Sequence, residues 1–157
     1  MESQPSSGPF QVIRVIHLGL MAGPMLLGII SYLLILQPKE GVLYDDTNIL
    51  TFIPIVALMI SVPGALIVFK SQINGQLKEN PPTERKLAIY QTAHIIRMAL
   101  MEFAALFGVV VCIVTVSYIN YFTTGVALLI MLLMLPTKFR ISEDLKLNRD
   151  EQKQLFG

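Results

Sequence analysis

Glu102 stands in the run Met98-Ala99-Leu100-Met101-Glu102-Phe103-Ala104-Ala105-Leu106-Phe107-Gly108, a carboxylate with apolar neighbours on both sides. At the centre of a bilayer an ionised carboxylate costs roughly 2.5–3.5 kcal/mol on insertion scales, so acids kept there face a bundle interior and serve ion or proton movement. His94, Met98 and Glu102 recur at every fourth residue and drift slowly around one helical face, while Arg97 sits one turn after His94 on a neighbouring face. Two chemistries fit these residues. In one, Glu102 binds and releases a proton or cation, with His94 or Arg97 setting its affinity. In the other, Glu102 pairs with a basic or hydroxyl group of a neighbouring helix or subunit and fixes packing. Arg97 lies nearer the interface and can snorkel, whereas Glu102 lies deeper and cannot.

The chain has two histidines, His17 and His94, each one or two turns into its helix. Paired axial haem ligands in membrane bundles have this arrangement. Nothing else marks a porphyrin pocket, so the reading favoured here is of interfacial histidines and no cofactor. Gly19 and Gly23 form a GxxxG, and Ala104, Gly108 and Cys112 form a small-xxx-small ladder; both patterns allow close helix approach. No nucleophile elbow, Walker loop, HExxH or paired-carboxylate pattern occurs, so the chain is not expected to be an enzyme, and no metal site is expected. A single cysteine, Cys112, excludes a disulfide or CxxC pair within one chain.

These residues are carried by membrane helices. Of 157 residues, 54% are hydrophobic and only 15% charged, with a mean hydropathy of +0.62, whereas ordinary soluble domains are roughly 25% charged. A net charge of +1 gives no basic field for nucleic acid. A helix crosses the hydrocarbon core with about 17–25 apolar residues, and four such segments are predicted at about 12–36, 49–69, 88–116 and 120–135. The first is expected to be a retained helix rather than a cleaved signal peptide, because no small-x-small site closes it. Pro54 and Pro63 predict kinks in the second. The third and fourth share one uncharged run, which the aromatic stretch from Ser117 to Thr124 must break at the interface.

The fold expected is therefore an all-α membrane protein of four transmembrane helices arranged as two hairpins. Residues 1–136 form the membrane domain and 137–157 a short, solvated cytoplasmic tail, in which Asn148-x-x-Glu151 has the spacing of a helix start. Lys70, Lys78, Arg85 and Lys86 crowd the second connection, while the first holds only Lys39 beside Glu40, Asp45 and Asp46, which predicts both termini in the cytoplasm. Ile16 to Gly28 also aligns with Ile96 to Gly108 at a constant offset of 80, the pattern of a parallel hairpin duplication. In that alignment Glu102 faces Ala22, so only the second hairpin carries the acid.

The segment Ile95 to Val110, after its polar loop, resembles the proton-carrying helix of the rotor-ring proteolipid of rotary ATPases. The resemblance implies that Glu102 stands where that family keeps its ion-carrying acid, although the glycine repeat of the family's inner helix is absent from helix two. The chain as a whole resembles small bacterial four-helix inner-membrane proteins, which implies a location in the cytoplasmic membrane. The function expected is that of an accessory or assembly subunit of a larger membrane complex, with other subunits or further copies as partners beside the lipid bilayer. The alternative is a proton- or cation-coupled transport subunit using Glu102.

Overall fold

The computed structural model describes residues 8–35, 49–116 and 118–156. The loop holding Lys39, Glu40, Asp45 and Asp46, and Ser117 of the aromatic turn, lie outside them. Helix α1 spans Pro9–Ile35, α2 Ile53–Leu77, α3 Thr83–Thr115 and α4 Ile119–Leu133, followed by the short α5, Lys138–Asp144, and α6, Arg149–Phe156; no strand forms among the described residues. Three helices are long and apolar enough to cross a membrane, and α4 with α5, joined through an 80° bend, makes a fourth span only as a pair. The protein is an all-helical membrane protein on this composition.

Helix α3 is the hub. It packs against α2, α4 and α1, and α1 also touches α4. The pairing of α1 with α2 is not among these larger interfaces. In lipid no hydrophobic force draws helices together, so contact depends on fit. In mid-bundle Met98, Met101 and Met131 fill against Ala65, Ala105 and Ala127, flexible side chains set against small ones. Further along, α3 and α4 approach so closely that a β-carbon on Gly108 would stand 2.6 Å from Thr124 Oγ1. Around this core Ile60, Ile67, Phe103, Val114 and Phe122 point outward, as lipid-facing residues do.

The helices outrun the uncharged stretches that predicted them. α2 continues from residue 69 to Leu77, and α3 begins at Thr83 rather than near 88. Burial explains the extension: Phe69 and Ile73 on α2 meet Leu87, Tyr90 and Ala93 on α3, one further core beyond the apolar runs. Asn80, at φ 44, then turns the chain ahead of the Pro81–Pro82 pair. Pro54 does not act as an interior kink. It lies in the first turn of α2, where its missing N–H is no loss, behind a 3₁₀ turn at Ile49–Phe52; only Pro63 is interior.

The tail is the larger correction. Instead of a solvated appendage, it folds back so that Ile141, Leu145 and Leu147 join Ile13, Phe69, Ile73 and Tyr90 in the end core. The expected helix start is realised as a full capping box: Asn148 Oδ1 accepts from the N–H groups of Asp150 and Glu151 at 3.0 and 2.8 Å, and Glu151 Oε2 accepts from Asn148 N–H at 2.9 Å. The other oxygen, Glu151 Oε1, takes a 2.6 Å salt bridge from Lys86 of α3. Phe156 meets Phe10 edge to face at 6.1 Å. The start of α1, the α2–α3 turn and the tail therefore occupy one end of the bundle.

Candidate functional site

Tyr90, His94 and Arg97 lie at i, i+4 and i+7 on α3, one inward stripe just below the end core. The Tyr90 ring stacks on His94 with centroids 5.7 Å apart and 9° between planes. Edge to edge with His94 lies His17 of α1, the two ring planes 22° apart and their centroids 5.2 Å apart. Phe69 of α2 stands edge-on to Tyr90 at 5.6 Å, and the Arg97 guanidinium carbon sits 3.9 Å from the Phe69 ring centre. Three helices thus contribute to one column. His17 and His94 are 0% exposed and Arg97 8%.

Hydrogen bonds order this column. Arg97 Nη2 lies 2.7 Å from His94 Nδ1, and His94 Nε2 lies 3.0 Å from His17 Nδ1. A guanidinium only donates, so His94 Nδ1 accepts, which places the His94 proton on Nε2. His94 then donates to His17 Nδ1, and the His17 proton falls on Nε2. One tautomer of each ring satisfies the chain, and Arg97 selects both. At the ends, the Met131 backbone lies against the His17 ring as its acceptor, and Arg97 Nε is buried without a hydrogen-bond partner among the described residues.

Both histidines are enclosed within the chain. α2 and α3 extend past the apolar runs and the tail closes that end, so residues placed near an interface are enclosed. The two rings touch each other directly and do not flank a plane as axial haem ligands would. Among the described residues no group of three or more His, Cys, Asp or Glu side chains is placed to hold a metal ion.

Glu102 is not part of the column. Its carboxylate turns instead toward α1, where a β-carbon on Gly23 would stand 3.1 Å from Glu102 Oε1. Gly23 itself is exposed and Glu102 is partly so. Neither a salt bridge nor a hydrogen bond to Glu102 forms among the described residues. The three candidate residues therefore divide: His94 and Arg97 meet each other, and Glu102 stands alone one turn further along.

The packing candidates divide in the same way. Ala104, Gly108 and Cys112 are buried, and Gly108 admits the Thr124 hydroxyl, which donates to Ala105 O at 3.2 Å. Gly19 is exposed, and a β-carbon there would meet nothing within 4 Å. Gly23 meets only the Glu102 oxygen. The ladder on α3 serves this chain's own fold; the GxxxG on α1 does not.

Sequence reasoning did not place His17, Tyr90 and Phe69 in the site. One signal was present: the offset-80 alignment sets His17 against Arg97, at one depth in helices of the same direction. No protein family, no curated protein and no solved structure matches the chain.

Proposed function

We propose that this chain is an accessory or assembly subunit of a larger membrane complex, seated in a bacterial cytoplasmic membrane with four crossings and both termini in the cytoplasm. The observation that carries the reading is Glu102: a partly exposed acid at mid-span, with no donor among the described residues, beside an exposed glycine pair whose one close neighbour is the Glu102 oxygen itself. An acid so placed is costly against lipid. A partner helix that crosses at Gly19 and Gly23 and supplies a donor removes that cost, since small residues let backbones approach and polar side chains bond across the gap. The orientation rests on Lys70, Lys78, Arg85 and Lys86 at the α2–α3 turn and the basic tail, which gather at one end.

The test is mild detergent extraction of the tagged protein, native mass measurement and identification of what co-purifies. A defined set of subunits, or a fixed number of copies, is the expected result. Glu102→Gln lowers partner recovery roughly threefold to tenfold, the range of one intramembrane hydrogen bond. A lone chain whose mass is the same with and without the substitution overturns the proposal. In that case loss of proton flux through liposomes on Glu102→Gln would support the transport alternative.

A further inference from the structure

The tail folds into something besides a plug. Between α5 and α6 lies an open groove of about 810 Å³, lined by Lys138, Arg149 and Lys153 against one acid, Glu143, with Phe139 and Phe156 among the apolar walls. α5 leaves α4 through an 80° bend where the uncharged run that begins at Phe103 ends at Thr137, so on the four-crossing reading proposed above its charged residues Lys138, Arg140 and Glu143 stand at the headgroup level. On it Phe139 is 77% exposed, a large aromatic ring left uncovered by the described residues.

The cations differ in what already holds them. Lys138 Nζ donates to Phe156 O at 3.1 Å and lies 5.8 Å from the Phe156 ring centre. Arg149 and Lys153, one turn apart on α6, have neither an ion pair nor a hydrogen bond among the described residues. Of the two acids beside them on α6, Glu151 is taken by Lys86 and by the helix cap, and Asp150 forms no ion pair with either cation among the described residues.

We infer that this groove holds the phosphate headgroup of an anionic phospholipid of the adjacent leaflet, with Phe139 entering the acyl region beside it. Three features select this ligand. The net charge of the lining is positive and two of its cations are unengaged. The groove lies at the bilayer surface, where anionic lipids concentrate a negative potential that attracts juxtamembrane Lys and Arg. An exposed aromatic ring at that level suits the headgroup boundary, where amphipathic and aromatic side chains anchor membrane proteins. A soluble phosphate would meet the same cations and leave Phe139 unexplained.

The experiment uses the full chain in mild detergent, offered phosphatidylglycerol or phosphatidylcholine of identical acyl composition, with bound lipid counted by native mass spectrometry. Wild type is expected to retain phosphatidylglycerol in preference to phosphatidylcholine. Arg149→Gln combined with Lys153→Gln is expected to lower that retention by about an order of magnitude, while Lys78→Gln, exposed at the other turn, leaves it unchanged. Should the double variant not fold, Lys153→Gln alone carries the test, with a several-fold drop expected. Equal retention of the two lipids, or unchanged phosphatidylglycerol in the folded variants, overturns the proposal. Displacement of the lipid by millimolar inorganic phosphate overturns it as well and assigns the groove to a soluble anion.

Discussion

Arg97 and Glu102 are five residues apart on one helix, and the protein treats them oppositely. Arg97 is turned inward, laid over Phe69 and bonded to His94, which passes the hydrogen bond on to His17. Glu102 is turned toward the surface of α1, where the missing side chain of Gly23 leaves it space. A charge that the chain compensates internally belongs to its own folding. One that it leaves uncompensated among the described residues, deeper on the same helix, points outside the chain.

The comparison breaks most sharply at His94. His94→Ala takes away the acceptor that holds Arg97 and the donor to His17 and leaves a gap beside Tyr90, so it is expected to cost on the order of 3 kcal/mol, read as a lowered unfolding midpoint in detergent. Adding Arg97→Met to that background should restore part of the loss, because an apolar residue of similar length removes the stranded charge. If the double variant is no more stable than His94→Ala, the guanidinium is not what His94 supports.

The two glycine sites give the next contrast. Gly108→Ala drives a β-carbon into Thr124 Oγ1 and is expected to destabilise the isolated protein by about 1–3 kcal/mol, the usual range for overpacking. Gly19→Ala meets no atom and should leave the same midpoint unmoved. Gly19→Leu, also neutral for the lone chain, should lower co-purification of partners as Glu102→Gln does. A destabilised Gly19→Leu protein would show that the α1 surface packs within the chain.

Smallest is the effect at the end of the bundle. The Lys86 salt bridge and the Asn148 N–H bond hold the Glu151 carboxyl below its ordinary value. A carboxylate with a depressed folded value contributes its stability above the unfolded value, about 4.3, and loses it as pH falls through the folded one. Protease resistance of the tail should therefore be constant from neutral pH down to about 5 and decline only below about 4. Lys86→Gln should remove about 1 kcal/mol of docking at neutral pH and flatten that acid decline.

The helices were legible because bilayer thickness imposes a length on uncharged runs, and Leu18 to Leu36, Ile49 to Phe69 and Phe103 to Thr137 meet it. Their ends were not, since α2 and α3 continue on buried periodicity through Lys70, Asn74 and Lys86, where hydropathy has already fallen. The tail was misread for a related reason. Its apolar residues, Ile141, Leu145 and Leu147, are few, and whether they dock depends on a surface built by three other helices. His94 and Arg97 were visible as neighbours on one helix. His17 was not, because its contact with His94 spans 77 positions and only a topology that lays α1 along α3 creates it.

The two oxygens of Glu151 perform different tasks, one closing the first turn of α6 and the other gripping α3. An isolated helix of eight residues is too short to persist in water, so folding of α6 and its attachment to the bundle are a single event. Amide hydrogen exchange in this segment would then keep time for the whole end of the molecule: each exchange at residues 153–156 records a moment when Lys86 let go.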